Sequence, residues 1–237
     1  MQLTIIIPIL NEAAIIGETL HSLLAHITSA GKRDDIEVIV VDGGSCDESV
    51  SVAESYADKV LMSEPGRASQ MNAGAAVATG DYLLFLHVDT LLPDNFFYIT
   101  PLFDQQTVWG FFTIRLSGDN WCYRIIENGI RLRSRLTRVA TGDQCLYVKR
   151  STFHTIGGFA PITLMEDVEI SKRLRRLAAP AIVRQIVTTS SRRWQTRGVL
   201  KTVLFMWWLR WCYFIGVAPA KLASRYYGSR DDANHSK

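Results

Sequence analysis

Three runs of uninterrupted apolar residues punctuate the first ninety positions: Leu3 to Ile9, Ile36 to Val41, and Leu83 to Leu86 preceded by Tyr82. Runs of this length that do not alternate with polar residues predict strands buried on both faces, as in the centre of a parallel sheet. Between the first two, Asn11-Glu12 reads as a turn, Ile16, Leu20, Leu23, Leu24 and Ile27 recur at helical spacing, and Gly31 ends the helix. This is a β-α-β unit with a right-handed crossover. The spacing next predicts a helix around Ser49 to Ala57, a short strand at Lys59 to Met62, a small-residue helix from Ala68 to Ala78, and the central strand at 81 to 87.

The second half carries a helix near Asn95 to Phe103, a strand from Val108 to Leu116, and a helix over Trp121 to Arg138 with arginines at 124, 131, 135 and 138. A short strand from Gly142 to Val148 and a turn at Gly157-Gly158-Phe159 follow. Glu166-Asp167 opens a helix with Ile170, Leu174 and Leu177 inward and Lys172, Arg173, Arg175 and Arg176 outward, before a strand near Ala181 to Val187. Val199 to Ala218 is apolar apart from Arg210 and clusters Trp207, Trp208, Trp211, Tyr213 and Phe214. About 20 such residues can span a bilayer. Tryptophans belong at an interface, however, and Arg210 is costly at a membrane centre, so an interfacial or subunit-packing helix is expected. The chain therefore divides into an α/β domain over 1–195, an apolar helical extension over 196–227 and a polar, disordered tail over 228–237.

Composition adds one asymmetry. Residues 1–171 carry 12 basic and 21 acidic side chains, whereas 172–237 carry 14 and 2, so the C-terminal part is suited to something anionic, such as phosphates or a membrane surface. Cys46, Cys122, Cys145 and Cys212 lie far apart and Met1-Gln2-Leu3-Thr4 has no basic leader, which fits a cytoplasmic compartment.

Candidate chemistry sits at strand ends, where open α/β sheets bind ligands. Alternation along the central strand would put His87 and Asp89 on one side, where Asp89 could hold a hard cation and His87 could add a nitrogen ligand or meet a ribose hydroxyl. The alternative is that Asp89 merely caps the turn after it. Glu12 and Asp42 end the first two strands, and Gly43-Gly44 permits close backbone approach, although a glycine turn before a helix capped by Ser45 or Asp47 accounts for the same residues. Gly43-Gly44 does not match Gly-x-Gly-x-x-Gly, so a dinucleotide fold is disfavoured. Arg67 beside Gly66 could meet a diphosphate or a base. Glu166-Asp167 at a helix start is favoured by the dipole, and the same position suits a general base.

Together Ile7-Pro8-Ile9-Leu10-Asn11-Glu12, Val40-Val41-Asp42-Gly43-Gly44-Ser45-Cys46-Asp47, His87-Val88-Asp89 and Glu166-Asp167 resemble family 2 glycosyltransferases with the GT-A fold. Gly66-Arg67-Ala68-Ser69-Gln70-Met71-Asn72, Leu86-His87-Val88-Asp89-Thr90, Thr141-Gly142-Asp143-Gln144, Leu164-Met165-Glu166-Asp167 and Ser191-Arg192-Arg193-Trp194 resemble, more narrowly, small bacterial radical-SAM/selenodomain-associated transferases of the arsenosugar biosynthesis type. The resemblance implies an inverting transfer from a nucleotide-diphosphate sugar, UDP-sugars first, to an acceptor hydroxyl, with Asp167 as base and Glu166 beside it. It implies Mg²⁺ or Mn²⁺ on Asp89 and His87. Nucleotide-sugar contacts would fall to Pro8, Asn11, Glu12, Asp42 and Gly43 from the first two loops, and to Arg67, Asn72, His87, Arg193 and Trp194. Arg193-Trp194 resembles the end of Gln-x-x-Arg-Trp in processive members, but residue 190 is serine, which argues against processive synthesis. Two other readings stand beside this one: a membrane-associated transferase acting on a polyprenyl phosphate or glycolipid, peripheral at the inner face of the membrane, and a non-catalytic nucleotide-binding regulator. A homodimer is compatible with the aromatic C-terminal helix; a nucleic-acid partner is not expected.

Overall fold

A computed structural model of the chain describes residues 2–96 and 106–227. The strands β1 (Leu3–Ile9), β2 (Ile36–Asp42), β3 (Lys59–Met62), β4 (Tyr82–Phe85), β5 (Thr90–Leu91), β6 (Trp109–Leu116), β7 (Tyr147–Lys149) and β8 (Ala181–Thr189) form one sheet in the order β3-β2-β1-β4-β7-β6-β8-β5. The first four strands are mutually parallel; β7 then joins antiparallel to β4 and β6, and β8 runs parallel to β6. Pro8 is tolerated in a central strand because β4 pairs with β1 only as far as Ile6, so no ladder bond toward β4 is required of residue 8.

Period-two alternation divides the core between the two faces of the sheet. Ile5, Ile7 and Leu84 pack with Ile16, Leu20, Leu23 and Ile27 of α1 (Ala13–Ser29). Ile6, Val41, Leu83 and Phe85 pack on the other face with Ala68, Met71 and Ala75 of α3 (Arg67–Val77) and with Ile170 and Leu174 of α6 (Glu166–Leu177). Each such buried side chain contributes about 1.5–3 kcal/mol. Small residues bring α3 close: a Cβ on Gly74 would lie 2.6 Å from Cγ2 of Ile6. A third cluster joins Leu164 and Met165, just before α6, to Leu209 and Cys212 of α8 (Val199–Phe214) and Leu222, Ala223 and Tyr226 of α9 (Pro219–Tyr227).

Several boundaries differ from expectation. The helix expected from Ser49 to Ala57 is α2 (Ser49–Glu54), and the strand expected from Gly142 begins only at Tyr147, because Gly142–Gln144 is a 3₁₀ turn. The helix α5 (Arg150–Thr155) and the two-residue β5 had no periodic signal. Leu177 is 59% exposed rather than inward, and Arg173 is partly buried, donating to the carbonyls of Ile156 at 2.6 Å and Gly158 at 2.7 Å. The expected helix near 95–103 falls mostly, and the tail at 228–237 wholly, outside the described residues. No helix of the described residues is long and apolar enough to cross a membrane.

Glu37 ties the parallel strands together. Its carboxylate accepts from Nζ of Lys59 at 2.7 Å, Oγ1 of Thr4 at 2.7 Å, and N and Oγ1 of Thr79 at 2.9 and 3.0 Å. Burial pushes the carboxyl up, but the Lys59 and threonine donors outweigh it and hold it down at about 2, below the ordinary 4.5. A depressed acid stabilises in full above its unfolded pKa, so this contribution is complete above about pH 4.5 and is lost as pH falls toward 2. Glu37→Gln should cost roughly 1–3 kcal/mol at neutral pH. In urea titrations at stepped pH its deficit against the parent should shrink on acidification; a deficit independent of pH would remove the carboxylate's role.

Candidate active site

Parallel pairing brings the carboxyl ends of β1, β2 and β4 to one edge, and a buried side chain fixes the loops leaving it. Gln70 of α3 donates from Nε2 to the carbonyls of Ile9 at 2.6 Å and Val41 at 2.8 Å, clamping the ends of β1 and β2. Asp42 is fully buried, and its carboxylate accepts the N–H groups of Gly44 and Ser45, each at 2.8 Å, and the Ser45 hydroxyl. That hydroxyl in turn accepts the N–H of Asn11 at 2.8 Å, and Asn11 Oδ1 accepts the N–H of Cys46 at 2.8 Å. Asn11 adopts φ 54°, a left-handed conformation that asparagine tolerates. Neither expected residue is the cap of α2, whose N-cap is Glu48; Asp47, just before it, accepts the N–H of Ser49 at 3.0 Å, and Ser45 serves Asp42.

The central strand ends at Phe85, and the N–H of Thr90 closes a turn on the carbonyl of His87 at 3.0 Å. His87 and Asp89 are therefore presented by a turn, not by strand alternation; both are partly exposed, with buried Val88 between them. The capping alternative for Asp89 fails. Among the described residues its carboxylate accepts only the Thr90 hydroxyl, at a marginal 3.5 Å, so it remains directed to other work.

Gly142 is where the two halves of the site meet. Its N–H donates to Oδ2 of Asp167 at 2.8 Å, while Oδ1 of Asp167 accepts the N–H of Val168 at 2.7 Å. A Cβ on Gly142 would lie 2.6 Å from Cε1 and 2.8 Å from Nε2 of His87, and 3.8 Å from Asp167 Oδ2. His87 and Asp167, eighty residues apart in sequence, thus flank one glycine. Arg67, at the first turn of α3, completes the group: burial opposes its charge, but Glu166, Tyr227, Asp167 and Asp89 all favour it and its pKa is raised. Glu166 is buried, and desolvation, followed by the repulsion of Asp167, pushes its carboxyl up to about 7 against the pull of Arg67.

Other expected residues are placed differently. Asn72 donates from Nδ2 to the carbonyl of Phe159 and accepts its N–H at Oδ1, both at 2.9 Å, so its amide holds the glycine turn before α6. Pro8 is buried within β1. Glu12 lies 3.9 Å from Nη2 of Arg192, the start of α7 (Arg192–Arg197). Trp194 is partly exposed there, and the Arg193 side chain lies outside the described residues. Among the described residues no three His, Cys, Asp or Glu side chains group into a complete metal site. Asp89 and His87 still fit a cation that takes its remaining oxygens from a diphosphate, as magnesium and manganese do. Sequence reasoning gave no role to Gln70 or to the Thr141–Gln144 turn, and the periodicity of 121–138 counted Arg131 and Arg135 without Arg133.

The comparisons with known proteins follow this geometry. The family model described as glycosyl transferase family 2 matches residues 4–161. The chain belongs to that family. The matched stretch contains Asp42, Arg67, His87, Asp89 and Gly142, and ends before Glu166-Asp167. A PGL/p-HBAD biosynthesis glycosyltransferase of Mycobacterium tuberculosis is 28% identical over 169 residues, which is 66% of this chain and 62% of that protein. The chain thus spans less than two thirds of that relative. Among solved structures, the mannosyltransferase PcManGT from Pyrobaculum calidifontis, in complex with GDP-Man and Mn²⁺, superposes with TM-score 0.62 at 21% identity over 88% of this chain and 60% of that one. TarS 1–349 of S. aureus, in complex with UDP-GlcNAc, gives TM-score 0.60 at 17% identity over 80% and 58%. The fold is GT-A, as the motifs implied.

The raised Glu166 pKa has a thermodynamic sign. The unfolded chain ionises Glu166 near 4.5 and the folded one near 7, so between these values the unfolded state binds fewer protons and stability falls as pH rises. Glu166→Gln should remove that slope. The variant should melt above the parent at about pH 8 and level with it at about pH 4; parallel melting curves across the range would contradict the burial of an uncompensated carboxyl.

Proposed function

We propose that the transferase moves a sugar with inversion from a nucleotide-diphosphate donor, a uridine donor first, to an acceptor hydroxyl. The observation that carries this is the gathering of His87 and Asp167 around Gly142, with the Arg67 guanidinium within electrostatic reach of Asp167, Asp89 and Glu166. In this reading the carboxyl ends of β1 and β2 receive the nucleoside. Asp42 acts there by shaping the Gly43-Gly44 backbone, since its own oxygens serve that turn, and Glu12 stands at the rim with Arg192. A divalent cation on Asp89 and His87, of the kind bound by the PcManGT structure, would neutralise charge on the departing diphosphate. Arg67 supplies fixed positive charge to the same group.

The acceptor oxygen attacks the anomeric carbon from the face opposite the diphosphate. The bond to the diphosphate oxygen breaks, its electron pair leaves with the nucleotide, and the acceptor proton passes to Asp167. Backbone N–H groups on both carboxylate oxygens fix the orientation of Asp167, and Glu166, kept protonated by burial up to about 7, limits the negative charge beside it. We take residues 1–195 as the catalytic unit and 196–227 as an extension walling its acceptor side, because Met165 packs with α8 and α9 immediately before the acidic pair. The finer grouping with radical-SAM/selenodomain-associated transferases rests on the 66–72, 86–90, 141–144, 164–167 and 191–194 segments.

Asp167→Asn should lower nucleotide release from a panel of sugar donors by about 10²–10⁴-fold while leaving UDP binding, read by thermal shift with Mn²⁺, nearly unchanged. Asp89→Asn should instead abolish the metal-dependent part of that shift. Unaltered turnover in Asp167→Asn would end the base assignment.

A membrane-borne acceptor is favoured by one specific feature. Leu200, Leu204, Trp207, Trp211 and Phe214 of α8 are 59–76% exposed and recur at spacings of three and four, forming one apolar stripe. Anionic liposomes at low salt should bind the protein, and Trp207→Ser with Trp211→Ser should release it; an unbound parent protein would leave only water-soluble acceptors.

A further inference from the structure

Arg133 of α4 (Trp121–Thr137) and Arg210 of α8 have no part in the reaction as described, yet both are held in costly surroundings. The Nε atom of each is sealed from solvent and has no hydrogen-bond partner. Among the described residues, neither guanidinium has a carboxylate within ion-pair distance, and Arg210 makes no hydrogen bond at all. Arg133 uses only Nη2, toward Oγ of Ser134 at 3.0 Å and Oγ1 of Thr141 and Oε1 of Gln144, both at 3.3 Å. Arg210 also repels Arg133, and together with burial holds it down at about 10. Buried donors without acceptors cost roughly 1–3 kcal/mol each, more when charged. Two neighbouring cations in that state imply an anion that the fold itself does not supply. Arg131 has a similarly sealed Nε, but two residues along a helix place it on another face.

The location gives the anion's role. Thr141 and Gln144, which accept from Arg133, form the capping box of the turn whose Gly142 N–H holds Asp167. Asp167 is felt by Arg67 together with Asp89 and Glu166, and by Arg133 together with Asp143. The carboxylate of Asp167 is therefore within electrostatic reach of both Arg67 and Arg133, and the turn that binds Arg133 also holds it. Resting on the transferase reading above, we propose that Arg133 and Arg210 form an acceptor subsite for an anionic oxyacid group, a phosphate or its like, carried by the molecule whose oxygen attacks the sugar. Guanidinium edges suit such oxygens because they offer paired N–H donors in a fixed plane.

Inorganic phosphate is the probe, titrated calorimetrically into the full chain saturated with UDP and Mg²⁺, so that the diphosphate position is already filled. Phosphate should bind, and Arg210→Gln should weaken it by about tenfold or more, with UDP affinity changed less than about twofold. Among the described residues the Arg210 side chain makes no hydrogen bond, so its replacement should not unfold the chain. Arg133→Lys, which keeps a charge but not the fork, should weaken phosphate to a lesser degree. No phosphate binding, binding indifferent to Arg210→Gln, or displacement of phosphate by UDP would each overturn the subsite. If UDP itself fails to bind, the donor reading falls, and titration into the ligand-free chain still decides the subsite by the same Arg210 comparison. Phosphatidylcholine vesicles with one fifth phosphatidic acid identify the source. Competition with phosphate that Arg210→Gln abolishes indicates a lipid phosphate; bound phosphate that vesicles do not displace indicates a soluble phosphorylated acceptor, and either result supports the subsite.

Discussion

Three carboxylates, Asp89, Glu166 and Asp167, act on a single guanidinium, Arg67, and the placement of everything else near them answers that imbalance. Like charges in a partly dry pocket cannot all stay ionised without compensation. The chain meets the problem in three ways. Glu166 is buried deeply enough to keep its proton up to about 7, Asp167 takes two backbone N–H groups, and Asp89 is left at the open side with only a weak hydroxyl contact. The negative excess that remains is of the kind a divalent cation offsets, and under the proposed reading a carboxylate and an imidazole would suffice as protein ligands if a diphosphate brought the rest.

Holding such a group requires rigid loops, and the rigidity comes from polar side chains placed under them. Gln70 joins two strand ends, Asp42 and Ser45 lock the β2 loop to the β1 loop, and Asn72 and Arg173 fix the turn that leads to α6. Each serves backbone groups that would otherwise be buried without partners. Non-glycine residues in the left-handed region occur at Asn11, Cys145 and Met165, in the loops that deliver the site. Backbone strain of about 1–3 kcal/mol per residue persists only where surrounding contacts over-determine it. Met165 shows the means: anchored among Leu164, Leu209 and Leu222, it turns the chain so that Glu166 and Asp167 start a helix facing Gly142.

The central parallel strands were legible because burial on both faces writes itself as unbroken apolar runs: β1 falls where its run predicted it, and β2 extends one residue beyond its own. The acidic pair and His87-Val88-Asp89 were legible as chemistry because ionisable residues ending apolar runs have few structural duties. What the sequence could not carry was contact across long separations. Alternation suggested that His87 and Asp89 lie on one side of a strand, whereas both are presented by a turn closed by Thr90, a bond no periodicity encodes. Asn72 looked like a ligand residue because its motif was read as a unit, whereas its amide pairs with a backbone 87 residues away. Arg133 was hidden inside an arginine-rich helix whose other members follow the helical repeat.

The C-terminal helices change meaning once packed. As sequence they are an aromatic segment with one awkward arginine. In the fold, Arg210 is partly buried with a sealed Nε and acts electrostatically on Arg133 of α4, and the aromatic stripe lies outward. An arginine facing lipid would be expensive, whereas one beside a second arginine gains from any anion the two share. The same helix can therefore present an apolar surface to what surrounds the protein and a cationic one to what enters it. A reactant with an apolar body and an anionic head would satisfy both faces at once.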